Sequence, residues 1–283
     1  MEVDLFGNVI EKKVLLRESF IEPPFSVIDS KSGTWQARKR KWKNLGIKSE
    51  VGRDAVSIHI GTKANSDEGS EYTSIFDPAL CELMYRWFCP EGGSILDPFA
   101  GGSVRGVVAN YLGYKYTGID IRQEQIASNI EQGKEILGDD ICEWITGDSN
   151  KVLDSISNNQ FDMVFSCPPY ADLEVYSDLD GDISNMDYPH FIDAYRSIIK
   201  KSIDKLVGGG YAVFVVGEVR GKNGGYLGFV PDTIRAFMDC GMQYYNEAIL
   251  LTPIASASMR ANGNMKSKKL VKVHQNILIF KKP

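Results

Sequence analysis

Two short stretches of the chain carry residue types that can do chemistry together. Residues 97–103 read DPFAGGS and residues 166–170 read SCPPY, each directly after a run that reads as a buried strand. In the first, a glycine-rich turn lets backbone approach a ligand closely, because no Cβ intervenes. Gly101 and Gly102 are adjacent, which is neither the GxGxxG spacing of dinucleotide folds nor a P-loop, since no GK[ST] follows. The turn therefore suits a small cofactor and is not tuned for a pyrophosphate. In the second, paired prolines hold the backbone extended and remove competing donors. Tyr170 then offers a ring that can stack on a flat, polar-edged partner. Ligands of open α/β sheets gather where strands end at their carboxyl edge, so both stretches should face one crevice.

The elements that must position these stretches follow from the pattern around them. From Phe76 onward, strand and helix alternate. Asp77 and Pro78 open a helix running to about residue 88, with proline tolerated in its first turn. Strands are expected at 95–96, 116–121, 141–146, 161–165, 211–216, 244–251 and 271–280. This alternation predicts an α/β fold with a mostly parallel seven-stranded sheet and helices on both faces. The last two strands are joined without a helix, which predicts an antiparallel edge. Residues 208–210, three glycines, read as a turn, and residues 252–270 as a glycine- and lysine-rich separator. Asp97, Asp120 and Asp148 then stand at three successive strand ends. Asp120 is placed to accept from ribose hydroxyls and Asp148 from an adenine amino group, although strand-end aspartates also cap helices.

The N-terminal part is less regular. Residues 1–71 read as an extension in front of a catalytic domain at 72–283. Residues 35–43, WQARKRKWK, fall in a helix expected over 30–46, with Trp35 and Trp42 one heptad apart on one face. That face anchors the helix on the main domain and leaves Arg38, Arg40, Lys41 and Lys43 outward. A second basic stretch holds Arg260, Lys266, Lys268, Lys269 and Lys272 with no acid among them. The net charge of −5 hides both stretches, because acids concentrate elsewhere, as at 172–187. A phosphate backbone responds to such local patches and not to the sum. Residues 61–71 are polar and read as a flexible loop.

With 43% hydrophobic and 24% charged residues, the composition is that of an ordinary soluble globular protein. No apolar run approaches the roughly 18 residues of a membrane span, and the acidic N-terminus does not read as a signal peptide. Five scattered cysteines without a CxxC pair, and three isolated histidines, argue against a disulfide framework or a metal centre. They fit a reducing cytoplasm.

On residues 97–103 and 166–170 the chain resembles the amino-group DNA methyltransferases. Their cofactor motif commonly reads DPFxGxG and their catalytic motif [D/N/S]PP[Y/F/W]. The resemblance covers roughly residues 72–283, and SCPPYADLEVYSD also resembles methylases encoded by phages and bacteria. It implies a Rossmann-like methyltransferase fold and S-adenosylmethionine (SAM) as cofactor. It further implies methyl transfer to an exocyclic amine of adenine or cytosine in DNA, after base flipping, with restriction-modification as one setting. On this resemblance Phe76, Asp77, Asp97, Pro98, Phe99, Gly101, Gly102, Asp120, Ile121, Asp148 and Ser149 hold the cofactor. Ser166, Cys167, Pro168, Pro169 and Tyr170 handle the target base. The two basic stretches, through Arg38, Arg40, Lys41, Lys43, Arg260, Lys268 and Lys269, are the candidates for phosphate contacts.

Two departures bear on mechanism. Ser103 stands where the family has its second motif glycine, and Cys167 stands before Pro-Pro where the family has Asp, Asn or Ser. A thiol is a weak acceptor and cannot do a carboxylate's work. Three readings stay open. The carbonyls of Cys167 and Pro168, with Ser166, orient the amine; or Cys167 is a nucleophile, as in enzymes that methylate carbon 5 of cytosine. The third is a different amine acceptor, or a module that binds the cofactor without catalysing. Methylation of RNA or of a protein glutamine is the nearest enzymatic rival. Glu218 and Arg220 are weaker site candidates, and Tyr176 and Tyr188 could shape a base pocket at the ends of the acidic loop.

Overall fold

Residues 15–47, 76–138, 142–170, 177, 179, 181–254 and 257–283 are described by a computed structural model. The loop expected at 61–71, Ile141 and Tyr176 lie outside the described residues.

Short apolar runs form the centre of the sheet: β2 (Ser94–Asp97), β3 (Lys115–Asp120), β4 (Glu143–Thr146), β5 (Phe161–Ser166) and β6 (Leu206–Val216). All five are parallel, with β2 between β3 and β5, β4 outside β3, and β6 outside β5. Beyond β6, β8 (His274–Lys281) runs antiparallel between β6 and β7 (Gln243–Leu251), which is the expected antiparallel edge, although the last two strands are not joined without a helix as expected. Among the described residues the sheet has eight strands, where seven were expected. The eighth, β1 (Val27–Asp29), pairs parallel with β7 and buries only Ile28. Three residues with one buried side chain are too short to show a period. The strand order is β1-β7-β8-β6-β5-β2-β3-β4.

Neighbouring residues on a strand point to opposite faces, and both faces are covered. One is covered by α2 (Gly33–Lys43), α3 (Pro78–Phe88), α4 (Val104–Tyr111) and α5 (Gln123–Leu137). There Trp35, Leu80, Met84 and Val107 share a core with Ile95, Phe165 and Val213. The other face is covered by α6 (Ser149–Ser155), α7 (Tyr188–Lys205) and α8 (Phe229–Met238). There Leu153, Phe191 and Phe237 pack with Leu96, Val164 and Phe214. Burial on both sides is why the central strands read as near-continuous apolar runs. Phe214 is wholly buried, and truncating such a side chain to alanine costs about 3–5 kcal/mol.

Three further points correct or sharpen the sequence reading. Residues 208–210 do not form a separate turn but lie in the first part of β6, where the pairing register with β5 shifts. Gly210 is needed there, because a Cβ would sit 2.9 Å from the Asp162 carbonyl oxygen. The separator 252–270 contains α9 (Ala257–Lys266), which buries only Ala257 and so shows no apolar stripe. Near the start of the described chain, α1 (Leu16–Phe20) precedes β1.

The basic helix α2 is fastened to α3 by polar as well as apolar contacts. Its N-terminus is capped by Ser32, and Trp35 and Trp42 are buried. The Trp35 indole N–H donates to Asp77 at 3.0 Å and that of Trp42 to Glu82 at 2.8 Å. Lys39 adds a second donor to Asp77 and Arg38 a second to Glu82, at 3.0 and 2.8 Å.

Candidate cofactor and base-binding site

The carboxyl ends of β2 to β6 meet at one edge of the sheet. Antiparallel β8 starts at that same edge, with Asn276 opposite Val216. DPFAGGS leaves β2 here and SCPPY leaves β5.

Asp97 is completely buried and its carboxylate takes donors from four directions. Oδ2 accepts from Arg105 Nε at 2.5 Å and from the Tyr116 hydroxyl at 2.8 Å. Oδ1 accepts from the Ser166 hydroxyl at 2.6 Å and the Phe99 N–H at 3.1 Å. Arg105 also donates to the carbonyls of Phe99 and Ala100, both at 2.6 Å. Burial works most strongly against the Arg105 charge, but the charge and hydrogen bond of Asp97, with Tyr116 and Cys167, together outweigh it and raise its pKa well above the ordinary value. Burial, then Asp97, push the Tyr116 phenol well up as well. Asp97 thus braces the loop from within. Phe76, two residues before α3, lies 4.7 Å from the Arg105 guanidinium and edge-on to Phe165.

The loop is held from outside by a chain of polar side chains on α5. Arg122 donates to Gln125, Gln125 to Asn129, and Asn129 to the Gly101 carbonyl at 2.7 Å. Ser103 donates to Gln132 at 2.6 Å. Gly101 has φ +52°, a left-handed conformation that glycine adopts readily. Its N–H donates to Asp120 Oδ2 at 3.0 Å, and the Arg122 N–H to Oδ1 at 2.8 Å. Ser149 donates to the Pro98 carbonyl at 2.6 Å, so its hydroxyl ties α6 to the same loop.

Asp148 caps α6 through the Asn150 N–H at 2.9 Å. Its other oxygen faces Gly181, where a Cβ would come within 3.4 Å, and the Ile121 side chain touches the same point at 3.6 Å. The chain beyond the catalytic motif therefore returns over the corner formed by Asp148 and Ile121. Asp182 and Asp187, in that returning stretch, cap the 3-10 turn Ile183–Asn185 and α7. Tyr188 donates to Asp232 at 2.9 Å.

On the catalytic side, Ser166 is buried and its hydroxyl is held by Asp97, so it does not face the crevice. Pro168 is buried, whereas Cys167, Pro169 and Tyr170 are partly exposed. Cys167 Sγ lies 3.8 Å from the Tyr170 hydroxyl. The Tyr170 ring is edge-on to Phe229 at 6.0 Å, and its hydroxyl accepts from Gln275 Nε2 at 2.8 Å. Lys272 is close by, since a Cβ on Gly217 would sit 3.9 Å from both its Nζ and the Tyr170 ring. Burial lowers the Lys272 pKa, with Glu218 opposing the shift. Sequence reasoning missed Arg105 and Gln275 as parts of the site, and read Lys272 only as a member of the second basic stretch. Arg105 alone left a signal, a lone charge in a helix of small and apolar residues.

Glu218 accepts from the Val230 N–H at the start of α8, and Arg220 donates to the Gly224 carbonyl and covers the Tyr226 ring. Both therefore have local structural partners. Arg38 and Asp77 are engaged in the docking of α2, while Arg40, Lys41 and Lys43 are exposed. Arg260 and Lys268 are exposed, and Lys269 lies against Gly224.

The parallel sheet with its antiparallel edge, covered by helices on both faces, defines a Rossmann-like fold of the methyltransferase type. A family model with the description DNA methylase matches residues 22–131, from the turn before β1 into α5, in agreement with the resemblance read from the motifs. Among solved structures, TrmN from Thermus thermophilus is similar in fold, with a TM-score of 0.51 and 13% identity. The match covers 74% of this chain and 49% of TrmN, so the chain spans about half that protein's length. A SAM-dependent methyltransferase from Methanosarcina mazei aligns with a TM-score of 0.46 and 16% identity, covering 70% of this chain and 96% of that one. Magnesium protoporphyrin IX methyltransferase from Synechocystis PCC 6803, solved with bound SAM, aligns at 0.45 and 11%, covering 73% and 79%. No curated protein matches the chain by sequence. Among the described residues, no helix is long and apolar enough to cross a membrane.

The residues present fit SAM. Gly101 is partly exposed at a left-handed turn beside Asp120, and partly exposed Asp148 and apolar Ile121 meet at the next strand end. These supply acceptors for hydroxyls and an amine, and a greasy wall for a flat ring.

Proposed function

We propose that this chain transfers a methyl group from SAM to an exocyclic amino group of adenine or cytosine in DNA. The observation that carries the reading is the bond between Ser166 and Asp97, which holds the catalytic and cofactor motifs against one another at the same sheet edge. The DNA methylase match over residues 22–131 supports the choice of DNA. That match ends before SCPPY, so the catalytic half of the reading rests on the geometry.

When bound, SAM supplies an electrophilic methyl group. Asp120 accepts from its ribose hydroxyls, Asp148 and Ile121 receive its adenine, and Gly101 and Gly102 let it approach the backbone. Asp97, Arg105 and Ser149 shape this cradle without touching it. The target base leaves the duplex, at a cost of a few kcal/mol, and stacks on Tyr170. An exocyclic amine is a poor nucleophile because its lone pair is delocalised into the ring. The carbonyls of Cys167 and Pro168 accept its hydrogens and draw the nitrogen towards tetrahedral geometry, which frees the lone pair. The Cys167 thiol takes no covalent part. Arg40, Lys41, Lys43, Arg260, Lys268 and Lys269 meet phosphates, and the setting is the cytoplasm, where the five cysteines stay reduced.

The test is incubation with methyl-labelled SAM and, separately, DNA, RNA and protein, followed by mass spectrometry of the nucleosides. Labelled N6-methyladenine or N4-methylcytosine is expected. Label confined to RNA or protein sinks the DNA reading, and cofactor binding without transfer to any polymer sinks the enzymatic one.

A further inference from the structure

We propose that Gln275 is a positioning residue that sets the plane of the Tyr170 ring, and so the face on which the target base stacks. The inference rests on the function proposed above. A tyrosine on the loop after a strand has two side-chain torsions to fix, and a stacking platform works only when both are fixed before the base arrives. Contacts at both ends of the side chain do this for Tyr170. Phe229 meets the ring edge-on, at 87° between planes, and positions its body. Gly217 leaves room beside it, since a Cβ there would come to 3.9 Å from ring atoms Cε1 and Cζ. Gln275 Nε2, donating to the hydroxyl at 2.8 Å, fixes its outer end, where Cys167 Sγ also lies 3.8 Å from the same oxygen.

Gln275 is well suited to this work because it sits on the sheet and not on a loop. It is the second residue of β8, opposite Leu250 of β7, and its neighbour Asn276 is opposite Val216 of β6. Its backbone is therefore set by β7 on one side and, through the next residue, by β6 on the other, while its side chain reaches a residue 105 positions earlier in the chain. A phenol oxygen that accepts this bond keeps its own proton, and an amide turned the other way would accept that proton instead. Both arrangements hold the ring in the same place.

The test uses the full chain with 3-fluorotyrosine incorporated, read by fluorine NMR. The Tyr170 resonance is assigned by its loss in Tyr170→Phe. In Gln275→Ala that resonance is expected to shift or broaden, while calorimetric affinity for SAM stays at the wild-type value. Turnover on DNA is expected to fall about tenfold in Gln275→Ala and about tenfold in Tyr170→Phe, the size of one missing hydrogen bond. The double variant should lose no more than either single one, because both remove the same bond. An unmoved resonance, or losses that multiply in the double variant, overturns the proposal. Should wild-type protein transfer nothing to DNA while the resonance still moves, the DNA reading falls and the positioning stands.

Discussion

The Ser166 hydroxyl donates to Asp97 Oδ1 at 2.6 Å, joining residues 69 positions apart, both wholly buried. Ser166 ends β5 and Asp97 ends β2, two paired neighbours in the sheet. The bond sets how the cofactor turn and the Pro-Pro-Tyr turn diverge from a common edge. Arg105 and Tyr116 complete the shell around the carboxylate, so the charge sits in the core with its donors supplied.

Ser166→Ala removes one donor from a buried charge and should destabilise the fold by about 1.5–3 kcal/mol, measured by urea unfolding. Arg105→Met should cost more, about 3–5 kcal/mol, because it leaves the carboxylate buried without its ion-pair partner. If Ser166→Ala unfolds at the wild-type midpoint, the bond does not hold the two turns together.

Cys167→Ala separates the open readings of the residue before Pro-Pro. With the amine's hydrogens going to backbone carbonyls, turnover should stay within about threefold of wild type, under 1 kcal/mol of barrier. A covalent thiol would lose all turnover. A Cys167→Asp variant that gained rate strongly would point instead to a missing side-chain acceptor.

The mostly parallel sheet with its antiparallel edge and the two motif positions were legible because buried parallel strands are apolar runs, and because turns near ligands need glycine and proline. Trp35 and Trp42 likewise announced a helix face that packs. What was not legible was which polar groups face inward. Asp97 and Ser166 have the residue types of ligand contacts, yet Ser166 is bonded to Asp97, and Asp97 to Arg105 and Tyr116 on other elements, pairings that only the tertiary fold makes. Gln275 was hidden for the same reason, since its partner is 105 residues away. Strand β1 and helix α9 bury too little to leave a period.

Asp120→Asn and Asp148→Asn should each weaken SAM binding by roughly ten- to a hundredfold in calorimetry, the range of a charged hydrogen bond. Asp120→Asn also disturbs the Gly101 N–H bond, so its effect should be the larger. Unchanged affinity in both variants would move the cofactor away from this corner of the crevice.

His274 opens β8 beside Lys272, and burial, then Lys272, lower its pKa from the ordinary 6.5. Below 6.5 the unfolded chain takes up this proton before the folded protein does. The stability tied to neutral His274 is therefore present above that pH and lost as pH falls through the depressed folded value. Between about pH 7.5 and about pH 5, the wild type should lose more unfolding free energy than His274→Gln. Equal losses in the two proteins would show that His274 titrates as freely as in the unfolded chain.

The basic helix offers a test in which two kinds of arginine and lysine part company. Arg38 donates to Glu82, which also receives the Trp42 indole, so Arg38→Ala should lower stability more than DNA affinity. Arg40, Lys41 and Lys43 are exposed, and their combined replacement by alanine should leave the unfolding midpoint and SAM affinity in place. If they meet phosphates, DNA binding weakens uniformly across sequences. The slope of log affinity against log salt then flattens by about 0.9 for each phosphate that is no longer neutralised. An unchanged salt slope in the triple variant would assign the outward face of α2 to solvent and leave the 252–270 stretch to meet the DNA.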